Sequence, residues 1–278
     1  MEAKLIAIDI DGTLLNEKGL ITDRTKKVIK DVQNNGIFVV LATGRHLLTS
    51  ETIGRDLHLM DPIISHNGGT IYEPIGKNVV VEQGFNIDQV ELVLSFLRRE
   101  RIPFFVSTAT HLIAEENLLT TDYCSEFNGV KLTLIRNVKK INEPILKLSI
   151  LGEEKVIDQL NGIIKKLAPT LQIVRGGERG SDIMPLHFNK GRALKILCER
   201  YGVNLSQTIA FGNYYNDIEM IKYAGLGVAM GNAPKLVKLA ADFVTSSNNE
   251  DGVANVLEEL LCSGNEFYSF LPGEISSR

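Results

Sequence analysis

Runs of consecutive apolar residues alternate with amphipathic segments along the first 70 residues of the chain. Residues 5–8 and 37–41 are apolar throughout, which is typical of strands that are covered on both faces of a sheet. Between them, residues 22–34 carry apolar side chains at helical spacing, and Thr22 is a suitable N-cap. A second helix is predicted over 47–58. This alternation favours a parallel sheet with helices on both faces.

The same alternation returns near the C-terminus. We predict helices over 191–201, 216–223 and 251–261, and strands over 208–211, 227–230 and 243–244. Because strands and helices again take turns, we expect these elements to join the same parallel sheet. The two ends of the chain would then form one domain, over residues 1–84 and 187–278.

The middle of the chain, residues 85–186, follows a different pattern. Its predicted helices, over 90–99 and 154–167, accompany several short and partly alternating strands. Such strands are typical of an antiparallel sheet. We therefore predict an α+β domain inserted into the first domain, and we call it the cap.

Composition and charge exclude several classes of protein. Of the 278 residues, 44% are hydrophobic and 23% are charged, as in an ordinary globular protein and unlike a disordered chain. The formal net charge of −4 provides no basic surface for nucleic acid or for an anionic membrane. No apolar run approaches the ~20 residues of a membrane-spanning helix, so we expect neither nucleic acid nor a membrane as a partner.

The cysteines and the N-terminus favour a cytoplasmic protein. Cys124, Cys198 and Cys262 are widely spaced and form neither a CxxC pair nor a zinc-binding pattern, so we expect free thiols. The first residues do not have the pattern of a signal peptide.

Four polar segments follow predicted strands or begin predicted helices, and parallel strands bring their carboxyl ends to one edge of a sheet. The first segment contains Asp9 and Asp11. Two carboxylates suit nucleophilic attack with proton transfer, or the binding of a hard cation. The alternative for this segment alone is an Asp-rich turn that ends a strand.

The second and third segments offer groups that suit phosphate. Thr43, Gly44 and Arg45 provide a hydroxyl, an amide and a guanidinium, although a helix N-cap with a surface arginine also explains them. Lys190 stands at a predicted helix N-terminus, where the helix dipole favours an anion. It therefore indicates a bound anion, with a solvent-exposed lysine as the alternative.

The fourth segment, residues 212–217, brings Asn213, Asn216 and Asp217 to the same edge; alone, it could be a helix-capping loop. The chain has no glycine-rich nucleotide-binding motif. Taken together, the four segments indicate metal-assisted phosphoryl chemistry.

These segments resemble the four motifs of the haloacid dehalogenase superfamily, and in particular of its Cof-type phosphatases of sugar phosphates and other metabolites. The matching residues are Asp9-x-Asp11-Gly12-Thr13, Leu41-Ala42-Thr43-Gly44-Arg45, Lys190-Gly191 and Gly212-x-x-x-Asn216-Asp217. Supporting segments begin at Asn67, Gly227 and Glu250. The resemblance covers both core segments, and in the cap it rests on position and length. It implies an α/β fold, with a Rossmann-like parallel-sheet core and an inserted α+β cap.

The resemblance also implies a mechanism and a cofactor. Asp9 would attack phosphorus and form an aspartyl-phosphate, and Asp11 would act as acid and then as base. Mg²⁺ would be held by the Asp9 carboxylate, the Asp11 backbone carbonyl and Asn213. The phosphate contacts would come from the Ile10 amide, Thr43, Gly44, Lys190 and Asn216, with Arg45, Asn67 and Asp217 in supporting positions. The partner would be a small phosphorylated metabolite, such as a sugar phosphate, pyridoxal phosphate or a flavin precursor. The protein itself would be a monomer or a weak homo-oligomer.

One position departs from the family pattern. The fourth motif usually has aspartate where this chain has Asn213. An amide oxygen still ligates Mg²⁺, but the site loses one negative charge, so we expect weaker affinity for the metal. Two alternatives stay open: a phosphomutase, and a binding or regulatory protein of low activity.

The histidines carry weaker signals. We expect His46, His58 and His111 to pack or to lie at the surface, whereas His66 and His187 fall nearer the predicted crevice.

Overall fold

The computed structural model describes residues 2–82, 84–85, 87–119, 126–127, 130–175 and 180–264. Its strands form two sheets, which we call the core sheet and the cap sheet. The core sheet contains β1 (Leu5–Ile8), β2 (Phe38–Ala42), β3 (Ile63–Ser65), β4 (Thr70–Glu73), β5 (Asn78–Glu82), β13 (Thr208–Gly212), β14 (Leu226–Ala229) and β15 (Phe243–Val244). The cap sheet contains β6 (Phe104–Ser107), β7 (Leu112–Glu115), β8 (Glu126–Phe127), β9 (Val130–Ile135), β10 (Lys147–Leu151), β11 (Leu171–Arg175) and β12 (Gly180–Pro185).

Helices cover both faces of the core sheet and one face of the cap sheet. They are α1 (Asp23–Asn34), α2 (Leu47–Asp56), α3 (Ile87–Arg99), α4 (Glu154–Leu167), α5 (Lys190–Tyr201), α6 (Ile218–Tyr223), α7 (Lys235–Ala240) and α8 (Gly252–Cys262). Thr22 caps α1 through its side chain, as predicted, and Asn189 caps α5.

The core sheet has the order β15-β14-β13-β1-β2-β3-β4-β5. The strands from β15 to β3 are parallel, as the apolar runs predict. Its edge differs from that prediction, because β4 and β5 form an antiparallel hairpin beside β3. The two strands of a hairpin need only a short turn between them, whereas parallel neighbours need a crossover helix.

Both faces of β1 are buried, which explains its unbroken apolar sequence. Ile6 and Ile8 pack in one cluster with α1 and α8. Leu5 and Ala7 face the other way and pack with α5. Polar side chains therefore enter this sheet only where its strands end, and that restriction positions the site.

The cap sheet has the order β11-β12-β10-β6-β7-β9-β8. Its pairs are antiparallel except for β7 and β9, which run parallel. Helices α3 and α4 pack against one face through an apolar cluster that includes Leu148 and Ile183. The limits predicted for the cap, residues 85 and 186, stay a prediction. The strands of the cap sheet lie between these two residues, and the strands of the core sheet lie before or after them.

Cys198 is buried and Cys262 is exposed, and both are free thiols; Cys124 lies outside the described residues. Within the described ranges, no helix has the length and apolar character needed to cross a membrane.

Candidate active site

Asp9 and Asp11 follow β1 directly and point to different surroundings. Asp9 is buried, with 5% of its surface exposed, and its backbone N–H donates to the Phe211 carbonyl on the neighbouring strand. The Asp11 side chain is 60% exposed. Gly12 turns the chain here with φ of +76°, and a Cβ at this position would collide with the Asn213 amide. The turn needs glycine both for its left-handed backbone and for this close approach.

Lys190 connects Asp9 to Asp217. Its Nζ donates to Asp9 Oδ1 and to Asp217 Oδ1, at 2.6 Å in both cases. Lys190 and Asp217 are fully buried, so the lysine is not the solvent-exposed residue of the alternative interpretation. A buried charge is tolerated only when it is paired, and here one ammonium serves two carboxylates.

The pKa values of this cluster reflect burial and charge together. Burial alone would lower the pKa of Lys190, but Asp217 and Asp9 outweigh it and raise that pKa. Burial, with the repulsion of Asp217, raises the pKa of Asp9 to about 7, while Lys190 opposes the rise. The fraction of Asp9 that is ionised therefore depends on the positive charges close to it.

Asn213 closes the site on the side opposite Lys190. One end of its amide lies 3.1 Å from Asp9 Oδ2, 3.1 Å from Thr13 Oγ1 and 2.8 Å from the Asp11 carbonyl oxygen. With its nitrogen at that end, the amide donates hydrogen bonds to these acceptors. With its oxygen there, three oxygens converge at the spacing of neighbouring ligands around a cation whose metal–oxygen distance is about 2.1 Å. The donor set fits Mg²⁺, and Asp9 supplies its single carboxylate.

The second motif and its neighbours form the opposite wall. Thr43 follows β2 and is buried. Asn216 Nδ2 donates to Asn67 Oδ1 at 2.9 Å, and the Asn67 N–H donates to the Thr43 carbonyl at 2.9 Å. These two bonds connect the loop after β13 to the ends of β3 and β2. Asp217 accepts the backbone N–H groups of Asn213 and Tyr214 through Oδ2, at 2.9 Å each, and so fixes that loop.

Arg45 does not lie free at the surface. Its Nε donates to Asp11 Oδ2 at 2.8 Å and its Nη2 to Asp11 Oδ1 at 2.6 Å. This bidentate pair holds the Arg45 side chain, which is only 33% exposed, over the strand ends.

The predicted residues surround a cavity of about 370 Å³ between the core sheet and the cap sheet. Those that line it are Asp9, Asp11, Thr43, Gly44, Arg45, Asn67, Asn213 and Asn216. Lys190 and Asp217 lie behind Asp9 and act on it through hydrogen bonds. Ile10 stands between the two aspartates, with its side chain buried in the core cluster. The four segments therefore meet at one edge of the sheet, where the sequence predicts them.

The cap contributes polar groups that the sequence analysis missed. Lys147 Nζ donates to the Gly44 carbonyl at 3.1 Å and to Asp182 Oδ2 at 2.9 Å. Ser149 Oγ donates to Asp182 Oδ1 at 2.6 Å. Their signal is the alternation in β10, where Lys147 and Ser149 face the cavity and Leu148 packs against the helices.

The histidines divide between the surface and the cavity. His58, His111 and His187 are exposed, and His66 is fully buried beside Asn67. His46 is buried as well, and it lines the cavity. It is therefore more than the surface or packing residue expected from the sequence.

Comparison with known proteins gives the family. A family model described as haloacid dehalogenase-like hydrolase matches residues 6–257. The phosphatase YcsE of Bacillus subtilis, named for 5-amino-6-(5-phospho-D-ribitylamino)uracil, is 30% identical over 92% of this chain and 95% of its own. Phosphatase YwpJ of the same organism is 30% identical over 93% of this chain and 100% of its own.

Solved structures agree with these sequences. A haloacid dehalogenase-like hydrolase from Bacteroides thetaiotaomicron superposes with a TM-score of 0.84, at 29% identity over 93% of this chain and 100% of that one. The predicted fold, an α/β core with an inserted cap, is confirmed. The chain therefore belongs to the haloacid dehalogenase superfamily, and within it to the hydrolases known as Cof-type phosphatases.

Proposed function

We propose that this protein hydrolyses small phosphorylated metabolites in a Mg²⁺-dependent reaction that passes through an aspartyl-phosphate on Asp9. The observation that carries the proposal is the buried Asp9–Lys190–Asp217 cluster at the floor of the cavity, with both Lys190 distances at 2.6 Å. A carboxylate that faces a cavity and is held by a buried ammonium suits attack on phosphorus. The relatives' names as phosphatases support the same reaction.

In the first step, an oxygen of Asp9 forms a bond to phosphorus while the bond from phosphorus to the ester oxygen breaks. Asp11 donates the proton that the leaving oxygen takes up. Thr43, the Gly44 and Ile10 amides and Asn216 surround the phosphate oxygens, and they stabilise the charge that develops there. Lys190 favours the ionised form of Asp9, because its positive charge opposes the rise in the pKa of Asp9.

In the second step, Asp11 takes a proton from a water molecule, whose oxygen attacks the phosphorus of the aspartyl-phosphate. The bond between phosphorus and Asp9 breaks, which releases inorganic phosphate and restores the carboxylate. Mg²⁺, held by the Asp9 carboxylate, the Asp11 carbonyl and the Asn213 oxygen, would offset the negative charge shared by Asp9 and the phosphate. Asp217 orients Lys190 and the loop of Asn213.

The cavity sets the size of the substrate. A volume of about 370 Å³ accommodates a small phosphomonoester, and Leu112, Val130 and Leu151 give it apolar walls beside Lys147, Ser149 and Asp182. Sugar phosphates, pyridoxal phosphate and flavin precursors of the ribityl type are the substrate classes we propose. The name of YcsE supports the last of these.

Asn213 favours a second candidate, a phosphometabolite-binding protein with low activity. The loss of one carboxylate from the metal site is its support. A phosphomutase has no separate support from the site, and it would be recognised by conversion of isomers with little phosphate release.

The test is phosphate release from a panel of phosphomonoesters, with Mg²⁺ and with chelator. We expect release that depends on metal and is lost in Asp9→Asn. Asp88→Asn, an exposed carboxylate on α3, serves as the matched control and retains activity. Acid-quench labelling with a ³²P ester is expected to mark the wild-type protein and not Asp9→Asn. Binding of esters without release at any Mg²⁺ concentration would overturn the phosphatase in favour of the binding protein.

A further inference from the structure

The turn that carries Asp11 is held by two asparagine side chains from the other end of the chain. Asn232 Nδ2 donates to the Gly12 carbonyl at 2.8 Å, and Asn248 Nδ2 donates to the Leu15 carbonyl at 2.8 Å. Neither asparagine belongs to the four segments that form the proposed reaction site. Asn232 follows β14, in a segment that supports the resemblance to the family but has no part in the proposed reaction.

Asn232 is itself positioned by the chain at the edge of the core sheet. The Gly231 N–H donates to the Ser246 carbonyl at 3.0 Å, so the chain after β14 stays joined to the chain after β15. Asn232 Oδ1 accepts the backbone N–H of Asn248 at 3.2 Å. Because both partners of this amide are backbone groups, one a donor and one an acceptor, they determine that its nitrogen faces the Gly12 carbonyl. The bond connects the end of β14 to the end of β1, past β13, which lies between them in the sheet.

Gly12 is the point at which the turn has the greatest freedom to move. Its φ is +76°, and a residue without a Cβ has a wide range of backbone conformations. A hydrogen bond to the Gly12 carbonyl restricts rotation about this residue, and so fixes the backbone of Asp11 before it and of Thr13 after it. Thr13 Oγ1 in turn donates to Asp9 Oδ2 at 3.0 Å. The bond from Asn232 therefore restrains the one residue whose flexibility would disturb both aspartates.

Asn232 is exposed, and its exposure limits its effect on stability. When an exposed hydrogen bond is lost, water takes the place of the missing donor, so the folded state loses little. Water has no fixed position, however, and does not restore the orientation of the carbonyl. Removal of the Asn232 amide should therefore change the geometry of the turn more than the stability of the protein.

We propose that Asn232 is a positioning residue for Asp11, and that its bond to the Gly12 carbonyl fixes the backbone from which the Asp11 acid acts. The inference rests on the proposed phosphatase function. Arg45 holds the carboxylate of Asp11, and Asn232 holds the backbone next to it. Loss of the bond impairs proton transfer to the leaving oxygen and misplaces the Asp11 carbonyl, which is a proposed ligand of Mg²⁺. The phosphate contacts from the other strand ends stay as they are.

The experiment replaces Asn232 with leucine, which is similar in size and branching but has no donor. For a sugar phosphate that the wild-type protein hydrolyses, we expect kcat to fall about tenfold in Asn232→Leu with KM nearly unchanged, because small displacements of a catalytic group are costly. The fall should be much smaller for p-nitrophenyl phosphate, whose leaving oxygen needs no proton. A purely structural defect would lower kcat for both esters alike.

Asn249→Leu is the matched control. Asn249 is exposed, and its Oδ1 accepts the backbone N–H of Glu17 at 3.0 Å, so the substitution removes one hydrogen bond from the same loop at a position beyond Gly12. We expect Asn249→Leu to have the wild-type kcat, and urea unfolding to give similar stability for the two variants. An unchanged kcat in Asn232→Leu would overturn the inference, as would an equal loss for both esters or an equal loss in Asn249→Leu.

A measurement without substrate separates this inference from the phosphatase function. Calorimetric titration of Mg²⁺ is expected to show about tenfold weaker binding in Asn232→Leu than in Asn249→Leu, since groups that orient a metal ligand affect affinity to this extent. That result would support the positioning role even if no ester released phosphate. Equal Mg²⁺ affinity in the two variants would overturn it, while metal-dependent release of phosphate by the wild-type protein would still support the phosphatase.

Discussion

Arg45 holds both carboxylate oxygens of Asp11, with donor–acceptor distances of 2.8 and 2.6 Å. An acid that delivers a proton to a leaving group must face that group with one of its oxygens. Asp11 does not have an oxygen free of Arg45 in this arrangement. As an acid, Asp11 carries a proton on one of these oxygens, so we expect the ion pair to open at that oxygen when an ester enters the cavity.

Arg45→Gln tests this coupling. We expect kcat to fall by about a hundredfold for alkyl phosphates, because Asp11 loses the partner that positions it. The fall should be smaller for p-nitrophenyl phosphate, whose leaving group needs no proton. The measurement is kcat across esters of graded leaving-group pKa. Arg24 makes a similar bidentate pair with Glu258 at the surface, so Arg24→Gln is the control and is expected to behave as wild type. An equal loss of kcat for all esters in Arg45→Gln would contradict the coupling.

Asn213→Asp should bind Mg²⁺ more tightly, by about tenfold, because it adds a carboxylate to the ligand set. The amide of Asn213 also has to turn its oxygen toward the cation and give up the donor bonds that its nitrogen makes to Asp9 and the Asp11 carbonyl. Calorimetric titration of Mg²⁺ without substrate measures the difference. Without metal, Asn213→Asp should be the less stable protein, since a second carboxylate then lies against Asp9 Oδ2 and the Asp11 carbonyl with no cation between them. Equal Mg²⁺ affinity in the two proteins would refute the charge argument.

Lys190→Met should destabilise the fold by about 3 to 5 kcal/mol, because it leaves Asp9 and Asp217 buried without a counter-charge. Urea unfolding measures the loss. Adding Asp217→Asn to Lys190→Met removes one of the stranded carboxylates and should restore part of the stability. If the double variant is no more stable than Lys190→Met, the loss comes from packing rather than from charge.

Stability should fall as the pH drops below neutrality. The pKa of His46 is lowered to about 4 in the folded protein, and that of His66 is lowered well below its ordinary value, mainly through burial. Between pH 6.5 and 4 the unfolded chain therefore binds protons that these two histidines exclude in the folded chain. Asp9, whose pKa burial raises to about 7, binds a proton in the folded chain over the same range and offsets the effect of one histidine, so the net stability still falls. The stabilisation is fully present above pH 6.5, and about 3 kcal/mol of it is lost by pH 4 through His46 alone.

Urea unfolding at pH 7.5, 6 and 5 measures this dependence. His46→Asn should flatten the slope, with His66 supplying what remains. His58→Asn, at an exposed position, should retain the wild-type slope. A slope that is the same in all three proteins would assign the acid lability to other groups.

The sequence predicts the core side of the site well because of one geometric rule. Parallel strands that are apolar on both faces admit polar residues only at their ends, and those ends share an edge. Asp9, Thr43 and Asn213 are each the first polar residues after such a strand. Their meeting at one cavity follows from the sheet order alone, with Lys190 brought in by the helix that packs on the same sheet.

The cap side could not be predicted in this way. Ser107 and Lys147 are 40 positions apart along the chain and become neighbours only through the register of β6 and β10, which short alternating strands do not specify. The hairpin of β4 and β5 was missed because its strands lie within a domain whose other strands are parallel. His46 is buried beside the cap, and no local pattern around it indicates that burial.

The chain that leaves the cap sheet is fixed just before Lys190. Gly68, at φ +96°, lies so close to the Asn189 carbonyl that a Cβ there would collide with it. Leu186 and His187, between the end of β12 and this contact, are exposed. The backbone that leads into Lys190 is therefore seated against the core at Gly68. We expect substitutions of the cap side chains that line the cavity to change which molecule is admitted and to leave the charge balance around Asp9 as the core sets it.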